Sequence, residues 1–189
     1  MGYEKIRRPL LVIGETVEKV LRLTDAKVHD AIKTDIPDTP GTDDLGLAEA
    51  IGSVLTTIET NGGATASTVA YALFRFVLDA FYDAGKDITV RVRAVTSALA
   101  TVEDLADVEV KLVGEDGSVG ADLNGTAAQQ LAIAAADYDF VVDGATLKPG
   151  DEVQLRLALS RDDTAGAIAG TVTAPKVSIL HAAPNIDAA

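Results

Sequence analysis

The sequence predicts an all-β protein, an antiparallel β-sandwich of jelly-roll type with one or two short helices and an N-terminal arm. Three observations lead there. Apolar residues recur at every second position in several segments, which is the period of a half-buried strand. Turn-forming Gly, Pro, Asn and Asp interrupt the chain at short intervals, as a sandwich requires. The apolar 48% of the 189 residues is mostly aliphatic and rich in Ala; aromatics make up 4%, and Cys and Trp do not occur. A chain of this length fits one domain with one core, built here from Val, Ile, Leu and Ala.

The elements follow in chain order. Leu10–Ile13 and Val17–Leu23 read as early strands around Gly14. Asp25–Lys33 is a first helix candidate. Asp35–Asp44 carries Pro37, Pro40 and Gly41 and reads as an exposed linker. We therefore divide the chain into an arm with linker, 1–45, and a sandwich, 46–189. Leu55–Glu59 leads to Asn61-Gly62-Gly63, a turn signal. Ser67–Asp79 holds Tyr71, Phe74 and Phe76, the aromatic centre of the expected core. Ile88, Val90, Val92 and Ala94 alternate with Thr89, Arg91 and Arg93; on a helix they would scatter around the circumference. Val108, Val110 and Leu112 repeat the pattern and run into Gly114-Glu115-Asp116-Gly117, a hairpin signal. Thr126–Ala136 is the second helix candidate, with Asn124 placed to cap it. Tyr138–Val142, Val153–Leu159 and Ala167–Ile179 complete the strands.

Charge divides the chain unevenly. Residues 1–33 hold seven basic and five acidic side chains, net +2, while the rest of the chain holds nine and 24, net −15. An acidic body repels phosphate backbones, so direct nucleic-acid binding is not expected. The mildly basic arm suits an acidic neighbouring surface, and Arg7, Arg8, Leu10, Leu11, Val12 and Ile13 are its candidate interface residues. Seven scattered charges on two ordinary strands would give the same composition. Arg91 and Arg93 lie on one strand face with Thr89, either as a solvated face or as a basic contact patch. No signal peptide is read at the start, and no apolar run reaches the roughly 20 residues of a membrane span.

Catalytic equipment is sparse. Without Cys there is no thiol nucleophile, disulfide or thiolate metal site. The two His, His29 and His181, are too few for a His-rich metal centre and read as surface or interface residues. No Gly-x-Ser-x-Gly occurs. Glu103/Asp104, Asp162/Asp163 and Asp43/Asp44 are adjacent acids, and neighbours on a strand point to opposite faces, so they would not converge on a substrate. Glu115, Asp116 and Asp122 could surround Ca²⁺ around a loop but lack EF-hand spacing, and solvated turn acids are the simpler reading. Gly114-x-x-Gly117-x-x-Gly120 lacks the Lys-Ser/Thr of a phosphate loop. Asn124-Gly125-Thr126 matches a glycosylation sequon by pattern only. We expect no enzyme, no metal and no cofactor.

Three segments carry a resemblance. Tyr82-Asp83-Ala84-Gly85-Lys86-Asp87 leads into the strand Ile88–Ala94. Asp122-Leu123-Asn124-Gly125-Thr126-Ala127-Ala128-Gln129 follows. Tyr138–Asp143 then leads through Leu147-Lys148-Pro149-Gly150-Asp151 into Val153–Leu157. In this order they resemble a group of tailed-bacteriophage virion structural proteins with β-sandwich bodies, over about residues 66–180. Leu78-Asp79-Ala80-Phe81 departs from that group's proline-bearing approach, and residues 1–45 lie outside the match. The resemblance implies a capsid decoration (cement) protein that binds the major capsid protein lattice, as a homo-oligomer such as a dimer or trimer. It would sit on the capsid exterior after synthesis in a host cytoplasm. The arm's net +2 beside a −15 body, the Pro37–Pro40 segment that separates it, and its place outside the match lead us to expect that it serves assembly rather than the sandwich's own stability. The alternative is a glycan- or cell-surface-binding sandwich module of a tail or fibre, against which the lack of Trp counts.

Overall fold

The computed structural model describes residues 16–28, 36, 45–49, 56–62, 67–100, 103–162, 164 and 170–183. Its strands are β1 (Thr16–Val20), β2 (Lys27–Val28), β3 (Leu45–Glu49), β4 (Thr56–Gly62), β5 (Ser67–Val77) and β6 (Ile88–Thr96). They continue as β7 (Glu103–Val113), β8 (Val119–Asp122), β9 (Gln129–Gln130), β10 (Ala136–Val142), β11 (Glu152–Asp162) and β12 (Gly170–Ala182). The first sheet runs β10–β6–β12–β4–β3, with β1 also on β12; the second runs β2–β5–β11–β7–β8, with β9 also on β7. Every pairing is antiparallel. From β4 to β7, and again from β10 to β12, successive strands alternate between sheets, so these connections cross an end of the sandwich. The fold is the expected all-β sandwich of jelly-roll type.

The period-two pattern sets which side chains go inside. Ile88, Val90, Val92 and Ala94 of β6 are fully buried, and Val153, Leu155, Leu157 and Leu159 of β11 face them across the core. Phe74 and Phe76 of β5 and Phe140 of β10 supply the aromatic volume. Ala70, Ala72, Ala106 and Ala174 fill inner positions between larger residues. The turns also form where their residues direct. Gly114 N–H donates to Ser118 O at 2.8 Å, and Gly117 takes φ +80, closing the β7–β8 hairpin. In Lys148-Pro149-Gly150-Asp151, Gly150 has φ +88 and Lys148 N–H donates to the Asp151 carboxylate. β12 shifts register between Thr173 and Lys176, where Pro175 has no N–H to give to the ladder.

Several expectations are corrected. The described residues contain no α-helix. Leu23–Asp25 forms one 3₁₀ turn, after which Lys27–Val28 pairs with β5; residues 29–33 of that helix candidate lie outside the described residues. Leu21, Leu23 and Ala26 are all drawn into the core, a spacing no single helix face provides. In 126–136, Asn124 accepts from Thr126 N–H as a cap would, yet its own amide donates to Val108 O at 2.7 Å. Side-chain bonds to strand edges thus replace helical ones.

The proposed boundary at residue 45 is not kept either. β1 pairs with β12 from Thr16↔Ala182 to Val20↔Ser178, and β2 pairs with β5, so residues 16–28 belong to the sandwich. Ile36, inside the expected linker, is buried. Gly62 continues β4 rather than turning. Leu10–Ile13, Arg7 and Arg8 lie outside the described residues.

Candidate functional site

The outer face of the second sheet carries a groove of about 310 Å³. Its floor is set by the central strand. On β11 the outward residues are Arg156, Ala158, Ser160 and Asp162, so the middle of the strand presents only a methyl and a hydroxyl. The neighbours are larger. Register places Tyr71 of β5 and Asp107 of β7 on either side of Ala158, and Val69 and Leu105 on either side of Ser160. Small residues on the middle strand and larger ones beside it make a trough that follows β11. Ala128, from the connection leading to β9, lines it as well.

Polar groups close both ends. At one end Arg156 lies over the Tyr71 ring, its guanidinium carbon 4.8 Å from the centroid, and bonds to Glu109 at 2.8 Å. Lys111 holds the other Glu109 oxygen at 2.6 Å. At the far end Asp162 and Glu103 face each other in register. Asp162 accepts from Thr164 N–H and Oγ–H, which holds its carboxyl below the usual range. Burial raises the Asp107 carboxyl above its usual range; Asp122 and Glu109 add to this, while the Val108 N–H and Arg156 oppose it.

This arrangement suits binding. Val69, Leu105, Ala158 and the Tyr71 ring offer apolar surface, and carboxylates, a guanidinium and a hydroxyl offer hydrogen bonds around it. Glu109 is neutralised by two cations and is poorly placed to act as base or nucleophile. Among the described residues no group of three His, Asp or Glu could hold a metal ion. No helix among them is long and apolar enough to cross a membrane.

The residues singled out in the sequence lie elsewhere. Arg91 and Arg93 are on the outer face of the first sheet, each opposite an acid of β10. Arg91 holds Asp139 with two bonds, at 2.7 and 2.6 Å, and Arg93 holds Asp137 at 3.0 Å. Arg91 pulls the Asp139 carboxyl below its usual range. Both arginines are therefore ion-paired within the sheet. His181 is not on the surface. It has the inward parity of Val177 and Ile179 and is buried, with Nε2 2.9 Å from Asp79 and its ring edge-on to Tyr82. His29 is outside the described residues.

The turn acids do not converge on a cation. Asp122 accepts from Val110 and Asn124 N–H, and Asp116 from Ser118 N–H. Glu103 and Asp104 point to opposite faces as expected. Asp104 is buried with Arg161, whose Nη1 also reaches Ala98 O at 2.7 Å and Thr96 Oγ at 3.2 Å, tying the second sheet to the first.

Sequence reasoning missed both that buried pair and the groove. The alternation Arg-x-Ala-x-Ser-x-Asp on β11 was an available signal, since it marks an outer face with a low centre. Nothing in the sequence says that Tyr71 and Asp107 flank it.

No protein-family model matches the chain, and no curated protein matches it. Solved structures do. A xylan-binding module, CBM15, is similar at 15% identity with a TM-score of 0.50, covering 88% of this chain and 97% of its own. The CBM22-1 xylan-binding domain of Paenibacillus barcinonensis Xyn10C covers 91% and 98% at 11% identity, TM-score 0.46. The CBM36-1 domain of a xylanase from the hindgut metagenome of Trinervitermes trinervoides covers 86% and 96% at 8% identity, TM-score 0.42. At such identities the likeness is one of fold. The match to the first of these confirms the two-sheet sandwich over nearly the whole chain.

Proposed function

We propose that the chain is a non-catalytic β-sandwich module that binds a glycan along the groove of the second sheet. The observation that carries this reading is the trough itself, an aromatic ring and aliphatic floor rimmed by hydrogen-bonding side chains on the three longest-paired strands. A pyranose ring presents apolar C–H faces and an equatorial belt of hydroxyls, and such a trough complements both. The similar fold of a xylan-binding module supports the same use of the sandwich. The scarcity of aromatics sets the strength. With one Tyr at the site, in place of several stacking rings, affinity should fall in the millimolar to micromolar range, about −4 to −8 kcal/mol. Affinity electrophoresis through gels containing neutral polysaccharides, xylan among them, tests this. Retardation by at least one polysaccharide, lost in Tyr71→Ala, is the expected result. Migration unaffected by every polysaccharide would overturn it.

A second reading, a capsid decoration protein on the major capsid protein lattice, has one observation in its favour. The segments that carry the virion resemblance meet in the fold. Gly85 N–H donates to Leu147 O, Asp143 N–H to Leu123 O, and Tyr82 Oη–H to Lys86 O beside Gly144. Motifs well separated along the chain thus describe one corner. Copy number on purified particles distinguishes the readings: hundreds of copies fit decoration, a few fit a tail or fibre module.

A further inference from the structure

We propose that the groove of the second sheet selects glycans by charge: it accepts a neutral chain, gains from an amine on the sugar, and rejects a uronate. This rests on the glycan reading and adds a ligand class to it. Four carboxylates line the groove: Glu103, Asp107, Glu109 and Asp162. They are not equivalent. Glu109 is neutralised by Arg156 and Lys111, and Asp162 is held by Thr164. Asp107 sits beside Ala158, opposite Tyr71 across the floor, and is half-buried. Its hydrogen bond is to the Val108 N–H, and no ion pair to Asp107 or Glu103 occurs among the described residues.

The cation nearest the floor is already committed. Arg156 gives its guanidinium to Glu109 and its face to Tyr71, so a ligand carboxylate would have to break that arrangement to be paired. Arg161, also at the groove wall, is buried against Asp104. A uronate laid along the trough would place its charge near Asp107 and Glu103 in a partly desolvated site, where like charges repel far more than in water. The chain's net charge of −13 adds to the repulsion. An ammonium in the same place would meet Asp107 as a charge-assisted partner. The raised Asp107 carboxyl agrees with an acid that lacks such a partner.

Three β-1,4-linked hexamers of one backbone test the idea: cellohexaose, its glucosamine counterpart and its glucuronic acid counterpart. Each is titrated calorimetrically into the full chain at about 20 and 300 mM salt, the range over which exposed charges become screened. The expected order is glucosamine over glucose by at least about fivefold, and glucuronic acid weaker than glucose by at least about tenfold, with both gaps narrowing at high salt. In Asp107→Asn/Glu103→Gln the gaps should fall below about twofold while cellohexaose still binds, because the floor is unchanged. A glucuronic acid hexamer that binds as well as cellohexaose overturns the inference and leaves the glycan reading standing. Preference for the amine that survives in the double variant also overturns it, because the rest of the acidic surface would then be the cause. Failure of all three hexamers overturns the inference. If the polysaccharide gels fail as well, the glycan reading falls with it.

Discussion

At Gly144 the β10–β11 connection passes against the backbone of the β5–β6 connection. A Cβ there would stand 1.7 Å from the Lys86 carbonyl oxygen, 2.3 Å from its carbon and 2.6 Å from the Tyr82 hydroxyl. The obstacle is backbone, so no rotamer change relieves it. Around the contact, Tyr82 is buried and bonds to Lys86 O, and its ring packs edge-on against His181 at a centroid distance of 5.8 Å. His181 in turn reaches Asp79, 102 residues away in sequence. Gly144→Ala should therefore cost about 3 kcal/mol or more, the upper end of overpacking effects. Gly117→Ala is the control. Its φ of +80 is unfavourable for Ala, but nothing lies within 4 Å of the added methyl, so the cost should be about 1–2 kcal/mol. Urea denaturation of both variants checks the pair. A Gly144→Ala loss below about 1 kcal/mol would mean the two connections do not touch as described. Tyr82-Asp-Ala-Gly and Asp143-Gly are each readable as turns in the sequence. That they press on each other is not readable, because close approach joins two segments with five strands between them in the chain.

A sheet edge shows how a correct local signal can point to the wrong element. β10 is the last strand of the first sheet, and an open edge invites pairing with another chain. Here the connection 123–130 covers it with side chains. Thr126 Oγ accepts from Val141 N–H at 2.8 Å, Gln129 Nε2 donates to Asp139 O at 2.7 Å, and Gly125 N–H donates to Val141 O. Asn124 anchors the same loop to β7 through Val108 O. An Asn followed by an Ala/Gln/Leu run looks like a capped helix when only local preference is weighed. The loop instead satisfies strand edges on both sheets, and that tertiary demand overrides the helical tendency. Thr126→Val keeps the shape and removes the acceptor. It should cost about 1 kcal/mol, and the Val141 amide should lose hydrogen-exchange protection while amides of β6 keep theirs. Thr126→Ser should retain that protection. Unchanged exchange at Val141 in the Val variant would show that the edge is covered by something else.

Over the whole molecule, the alternation of apolar residues specified both inner faces, and the sandwich was legible from it. The extent of the domain was not. β1 reads as part of a detached arm because its burial alternates only weakly along Thr16–Val20 and its partner is β12, the last strand of the chain. Charge suggested separation too, a net +2 segment before a net −15 body. In the fold those charges are used at home. Lys176 bonds to Glu18 at 2.6 Å and holds its carboxyl below the usual range, and Lys19 donates to Val77 O across the sandwich edge and stands over the Phe76 ring. The apolar contribution is larger than these exposed pairs, which are worth about 0–1 kcal/mol each. Leu21 and Leu23 are core residues, together worth roughly 3–6 kcal/mol of burial. Deleting residues 1–28 removes both, along with Ala26, and uncovers β12 from Ser178 to Ala182. Against a typical domain stability of about 5–15 kcal/mol, that leaves a body that is barely folded or unfolded at 37 °C. Deleting only residues 1–15 removes none of these contacts and serves as the control. Thermal denaturation of the full chain and the two truncations separates the cases. Melting of the 1–28 deletion within about 2 °C of the full chain, a shift equivalent to less than about 1 kcal/mol, would return these residues to the status of an arm.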